Sequence, residues 1–369
     1  MNALRPASGT KYRFTRLIGT GGIGSGMLFQ LAEPHTLRRN ESRLGVLTDS
    51  RDFCKLHIIC HYPAVLLDEA DVNIYPIGKV GADAEGYALL ALLEDADMSL
   101  SFVDTVREAR TLFSVCFQYP DLSGGNITTS NSASGLVSPA DIRRALAQLP
   151  PVGRKELALA APEVPLEARM ALLTEARARK SFTASSVLSG ETDEFARLGG
   201  FELTDLLAVN RDEACRIAGT DESSDGGEIA ERCYLALKLR NPAIRLIMTD
   251  GAAGCYSFED GMSVFTPSLK VDAVSTAGAG DALLGGVISG LCCGLPFMKA
   301  RSADAYFGET PLDSAVELGV LLAALSVTSS HSIHPDADAR SLRQFAGEHQ
   351  LALGPSFMQM LQVDQAERR

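Results

Sequence analysis

Apolar positions along most of the chain recur in two alternating rhythms. Short strand-like runs cover residues 14–18, 72–77, 156–160, 206–209 and 244–248, and amphipathic stretches with helical spacing cover 85–93, 167–179, 212–218 and 227–239. Parallel strands joined by helical crossovers produce this alternation, so the expected class is α/β, with a mostly parallel central sheet between layers of helices. Asp212 and Glu213 open the third helix, where acidic side chains suit the positive end of the helix dipole.

Two stretches break the rhythm. Residues 36–48 do not fit it, and in 111–129 the runs TLFSVCFQYP and NITTS flank the turn-like DLSGG, which reads as a hairpin with a glycine-containing loop. Strands lying outside the βα alternation can form a small lid, near 36–48 and 111–130, over a site on the main sheet. A single domain is expected over 11–355, with flexible tails at 1–10 and 356–369.

Composition narrows the function classes. With 46% apolar residues in 369 the chain can bury a core, and a net charge of -12 disfavours a nucleic-acid partner. The eight cysteines lack a CxxC or the dense spacing of a secreted scaffold, which favours reduced thiols in the cytoplasm. The N-terminus has no continuous apolar core, and the apolar runs 285–295 and 318–327 are too short to span a bilayer. The expected partners are therefore a small-molecule substrate and, for assembly, a second copy of the chain, with no membrane.

The most informative chemistry lies in VDAVSTAGAGDALLGGVISGL. Small residues precede an apolar run, so a loop should feed directly into a helix at about Gly278, whose unpaired amides and dipole make an anion site. Asp281 then falls in the first helical turn. A carboxylate there would repel phosphate unless it accepts the proton of an attacking hydroxyl during phosphoryl transfer. A plain helix cap accounts for the same residues equally well.

Several segments, in order, resemble the ribokinase-like (PfkB) carbohydrate kinases. Ser275-Thr276-Ala277-Gly278-Ala279-Gly280-Asp281 resembles that family's D-T-x-G-A-G-D signature, and residues 77–86, IGKVGADAEG, its I-G-x-V-G-x-D-x-x-G segment. Asn210-Arg211-Asp212-Glu213 matches N-x-x-E, residues 249–254 resemble a T-x-G-x-x-G turn, and 322–332 a late A-A-x-S-V-T segment. The resemblance implies a three-layer kinase fold, ATP and Mg²⁺. It implies Asp281 as base, the Gly278, Ala279 and Gly280 amides as anion hole, and Asn210 and Glu213 beside magnesium and phosphate. Thr249, Gly251, Gly254 and Ser326 would lie at the nucleotide. Ser275 replaces the family's first signature Asp, a position associated with a monovalent cation, which leaves that requirement undecided. The first seventy residues lack the family's sugar-gripping motifs.

Other constellations carry competing readings. Gly19-Thr20-Gly21-Gly22-Ile23-Gly24 is a literal GxGxxG between strand-like FTRLI and helix-like SGMLFQL, with Asp49 as a candidate ribose acid, as in a dinucleotide fold. His57 and His61, one helical turn apart, could bind a metal with Cys54 or Cys60, although core histidines are the commoner outcome. Lys55 or Arg51 could contact an acceptor, as could Asn126 and Asn131, through paired donors and acceptors. His331 and His334 read as loop residues, and Cys292 and Cys293 as buried hydrophobes. The leading expectation is an ATP-dependent kinase of a sugar-like alcohol. The alternatives are a ligand-binding or regulatory protein on the same fold and an NAD(P)-dependent oxidoreductase.

Overall fold

The segment ELALA at 156–160 is buried at all five positions, as a strand covered by helices on both faces requires. It lies inside a nine-stranded sheet in the computed structural model, which describes residues 3–7, 11–121, 123–301 and 305–362. The strands are β1 (Arg16–Thr20), β2 (Gly24–Leu31), β3 (Gly45–Phe53), β4 (Asn73–Gly81), β5 (Val103–Val106), β6 (Leu112–Gln118) and β7 (Gly124–Thr128). They continue with β8 (Glu156–Ala160), β9 (Phe182–Ser186), β10 (Leu206–Asn210), β11 (Arg245–Thr249), β12 (Gly254–Glu259) and β13 (Met262–Pro267). The helices are α1 (Lys55–Leu66), α2 (Ala84–Asp95), α3 (Pro139–Gln148), α4 (Leu166–Ala178), α5 (Thr192–Arg197) and α6 (Arg211–Ala218). After them come α7 (Gly226–Arg240), α8 (Ala279–Cys292), α9 (Ala315–Ser326), α10 (Ala339–Glu348) and α11 (Pro355–Met360).

The main sheet runs β13-β12-β11-β10-β9-β8-β1-β4-β5, parallel from β5 to β11 and antiparallel at β11-β12-β13. Helices α8 and α9 meet backbone to backbone: a Cβ on Gly286 would lie 2.8 Å from the Gly319 Cα. Together with α1 they line the largest core cluster, where Tyr62, Leu284, Val287, Leu318 and Leu321 are fully enclosed.

A second, four-stranded sheet, β3-β2-β6-β7, forms the lid. Strand β6 shows why it can lie over a site. Leu112, Ser114 and Gln118 turn inward and are buried, while Phe113, Val115 and Phe117 point the other way. The expected hairpin is β6–β7. The other lid segment differs from expectation: the strand is Gly45–Phe53, and residues 36–44 form a loop in which Glu41 is bound by Arg43 and His35. SGMLFQL, expected as a helix after GxGxxG, is the strand β2. No helix N-terminus follows those glycines to take a pyrophosphate, and the dinucleotide reading fails on this point.

Parts of the expected tails, 1–10 and 356–369, pack against the fold. Leu4 is fully buried and its amide donates to the Leu66 carbonyl, while Phe357 and Met360 bury the face of α11. Residues 1, 2, 8–10 and 363–369 of those tails lie outside the described residues. Among the described residues no helix is long and apolar enough to cross a membrane.

Candidate active site at the start of helix α8

The loop before α8 turns on Gly278, which has φ 75° and would place any Cβ 2.5 Å from the Ser332 carbonyl oxygen. Only glycine combines that backbone with that close approach. The Ala279 amide is held by the Thr276 carbonyl at 3.2 Å. The next amides, of Gly280 and Asp281, have no helical carbonyl within reach, as at any helix start. A Cβ built on Gly280 would meet nothing within 4 Å, so this turn faces open space. That is the geometry an approaching anion needs.

Asp281 lies in this first turn, and Lys55 Nζ stands 3.6 Å from its Oδ1, with the two side chains 12% and 29% exposed. Lys55 opens α1, and its backbone amide donates to Glu163 Oε2 at 3.1 Å. Glu163 follows β8 and packs directly over Gly22, where a side chain would collide with its carboxylate. Burial pushes the Asp281 and Glu163 carboxyls above their ordinary range against the pull of Lys55. The attraction of Asp281, with help from Glu213 and Glu163, raises the Lys55 ammonium. One cation thus serves three partly desolvated carboxylates.

Asn210 ends β10 and caps α6. Its Oδ1 accepts from the Glu213 amide at 2.8 Å, and Glu213 Oε2 accepts from the Asn210 amide at 2.8 Å, a reciprocal capping box. The box also points Glu213 toward Lys55 and Asp281. Burial raises the Glu213 carboxyl to about 7, although Lys55 and the Asn210 amide both favour the charged form.

The lid closes over this cluster through its inner face. Between Gly26 and Leu28 the register shifts, so that Gly26 pairs with Asp52 and Leu28 with Asp49; the extra residue on β3 puts both aspartates on one face. The rows continue as Asp49-Leu28-Cys116-Asn126 and Asp52-Gly26-Ser114-Thr128 across the four strands. The Cys116 thiol donates to Asp52 Oδ2 at 2.8 Å, and the Ser332 hydroxyl also bonds that carboxylate. Ser332 Oγ accepts from the Phe53 amide at 2.9 Å, Gln118 Nε2 donates to Thr276 Oγ1 at 2.9 Å, and His331 pairs with Asp49 at 2.9 Å. The lid is therefore tied to the loop that precedes α8 and to the segment that follows α9.

Asp281, Gly278, Ala279, Gly280, Lys55, Asn210 and Glu213, singled out in the sequence, converge. Thr249 pairs in register with Asn210 on the neighbouring strand end, and Gly251 and Gly254 shape the turn after it with φ 55° and 132°. Ser326 is different: its hydroxyl is buried, donates to the Ala323 carbonyl at 2.8 Å and also bonds the Tyr62 hydroxyl, so its side chain is used between α9 and α1. Asn126 lies on the inner lid row but is exposed, and Asn131 falls in an exposed bend beyond β7. Ser275 is buried, its Oγ accepting from the Ala277 amide at 3.2 Å.

His57 and His61 are not brought to a metal cluster, and none occurs among the described residues. His57 packs against Phe53 with the rings tilted and their centres 4.5 Å apart, and burial lowers the two imidazoles to about 3 and about 4, so both are neutral. Asp83, inside the IGKVGADAEG segment, caps α2 through the Gly86 amide and is bound by the Thr111 hydroxyl, a structural role. Sequence reasoning missed Glu163, Asp52 and Ser332. Only the position of Glu163 just past a strand end could have pointed to it.

Over 99 residues the chain is 28% identical to probable fructokinase-6, chloroplastic, of Arabidopsis thaliana, and over 129 residues 27% identical to fructokinase-2 of Zea mays. These alignments take in 27% and 35% of this chain, and it spans only 24% and 34% of the length of those two curated relatives. The ribokinase of Cryptococcus neoformans var. grubii serotype A, solved with ADP, superposes with a TM-score of 0.70 at 19% identity, covering 89% of this chain and 99% of that one. That likeness shows a ribokinase-like fold. Residues 64–339 match the profile of the pfkB family carbohydrate kinases, and with three quarters of its length inside that match the chain belongs to this family.

Proposed function

We propose that this protein transfers the γ-phosphoryl group of ATP to a hydroxyl of a sugar or sugar-like acceptor, with Asp281 as general base. The observation that carries the reading is the placement of the Asp281 carboxylate in the first turn of α8, beside the open Gly280 amide and 3.6 Å from Lys55. A base must sit within reach of the attacking hydroxyl and next to the migrating phosphoryl group, and this position meets both needs. Burial already biases Asp281 toward taking up a proton.

Of the Gly278, Ala279 and Gly280 amides expected as the anion hole, that of Ala279 is taken by the Thr276 carbonyl, so the Gly280 amide and the next one, of Asp281, meet the charge that grows on the transferring group, and the α8 dipole adds to it. Thr249, Gly251 and Gly254 form the nucleotide side, with Ser326 contributing through the shape of α9. The donor set also fits magnesium: the buried Glu213 carboxylate, with the Asn210 side-chain carbonyl beside it, offers oxygen atoms that can hold the ion through water. Bound with ATP, Mg²⁺ supplies neutralising charge for the phosphates. Lys55 holds Asp281 in place and offers positive charge between acceptor and phosphate. On the acceptor side, Asn126, Asp52, Ser114 and Glu163 present the mixed donors and acceptors that hydroxyl groups require. Asn131 stands at the rim.

The outer lid face carries Val115 and Ile127, directly paired and 36% and 72% exposed, with Phe113 and Phe117 beside them. This apolar face supports a homodimer, which sedimentation of the wild type against Ile127→Lys would detect as a fall to the monomer mass.

A screen of sugars, nucleosides and polyols for ATP consumption tests the main reading. Asp281→Asn should lower turnover about 100- to 10,000-fold while nucleotide binding persists. Undiminished turnover in that variant would remove Asp281 as the base. Nucleotide binding without turnover on any acceptor class would favour a binding role.

A further inference from the structure

Asn210 and Thr249 are the last paired positions of the neighbouring parallel strands β10 and β11. The residues that follow them carry opposite charges and meet: Arg211 Nη1 donates to Asp250 Oδ1 at 2.8 Å. The second guanidinium nitrogen, Nη2, donates to the Ser224 carbonyl at 2.5 Å and the Glu222 carbonyl at 3.1 Å, in the loop between α6 and α7. One side chain therefore joins three segments: the first turn of α6 that carries Glu213, the turn at 249–254, and the loop that leads into α7.

The carboxylate is seated as firmly as the guanidinium. A Cβ on Gly226 would collide with Asp250 Oδ2, so the start of α7 packs its backbone against that group. The turn itself is closed by the Asp250 amide, which donates to the Gly254 carbonyl at 2.8 Å. Asp250 is only 12% exposed and Arg211 34%. A planar guanidinium held at both ends fixes distance and angle, which a freely rotating surface pair does not.

We propose that Arg211 and Asp250 are a positioning pair for the nucleotide. Where the β10–β11 ladder stops, the pair sets the spacing between the Asn210–Glu213 capping box and the Thr249–Gly251 turn. It thereby holds the two turns at the spacing the nucleotide needs before it binds, which acts on affinity rather than on the chemical step. Neither residue needs to touch the reacting atoms. The proposal rests on the reading of these two turns as the nucleotide side of the site.

The test is calorimetric titration with MgATP, alongside steady-state kinetics, for the wild type, Arg211→Gln, Asp250→Asn, the double variant and Arg211→Lys. Each single variant should raise the ATP Kd and KM about tenfold, with kcat at saturating ATP within about twofold of wild type. The double variant should be no worse than either single one, and Arg211→Lys should recover part of the loss, because it keeps the charge without the fork. Arg197→Gln, which breaks an exposed pair on α5, supplies the stability control. Unchanged ATP affinity in Arg211→Gln, strictly additive losses, or a loss of affinity matched by kcat and by a thermal midpoint below the control would overturn the pairing. Absence of ATP binding by the wild type itself would bring down the nucleotide reading and this proposal with it.

Discussion

Lys55 faces the carboxylates of Asp281, Glu213 and Glu163, and its ammonium lies 3.6 Å from Asp281 Oδ1. Every one of those three carboxyls is raised by burial and restrained by this lysine. Lys55 is thus the cation that the three groups share.

Replacing Lys55 by Met should keep the length of the side chain and remove the charge. The carboxylates would then take up protons at higher pH, since nothing offsets their desolvation. Turnover should fall roughly 100-fold or more, the scale of losing one preorganised charge donor, and the acid limb of the pH-rate profile should move upward. A Lys55→Met variant with wild-type turnover and an unmoved profile would show that the lysine only packs.

Glu213 gives a second pH dependence, and its sign can be stated. Its folded pKa of about 7 exceeds the ordinary 4.5, so between those values the folded state holds a proton that the unfolded chain has released. Stability should therefore fall as pH rises through this window, by on the order of 3 kcal/mol in total, and level off above it. Glu213→Gln should flatten that slope in denaturant titrations. Activity should move the opposite way, rising through about 7 as the carboxylate ionises, and added Mg²⁺ should shift that rise to lower pH because the ion favours the charged form. A pH-rate profile insensitive to Mg²⁺ would separate Glu213 from the metal.

The part of the candidate site around Asp281 was legible because its signals are local. Asn210 and Glu213 are three apart on one helix start, and Ser275 to Asp281 form one continuous loop-to-helix junction, so spacing alone carries geometry. The acceptor side depends on register between distant strands. Asp49 and Asp52 share a face only because β3 has one residue more than β2 between two pairing positions, which no periodicity in SRDF announces. Strand β2 was hidden for a related reason. It is central in the lid, so Met27, Leu28 and Phe29 are all at least half covered, and the run loses the alternation that marks a strand with one wet face. Glu163 belongs to the site through its contact with Gly22, 141 positions earlier in a chain that gives no hint of the approach.

Gly280 provides the sharpest separation of folding from function. It is the second residue of α8, its surroundings leave at least 4 Å around an added Cβ, and its φ is not in the left-handed region, unlike that of Gly278. Gly280→Ala should therefore be accepted by the fold and raise helix stability by up to roughly 1 kcal/mol. The same methyl group would project into the space where a phosphoryl group must approach the helix amides. Activity should drop on the order of 100-fold, the scale of losing one oxyanion donor. Gly278→Ala is the contrasting case, since it strains the backbone and collides with the Ser332 carbonyl, so it should lose stability and activity together. A Gly280→Ala protein that is stable and fully active would mean that no anion docks against this turn.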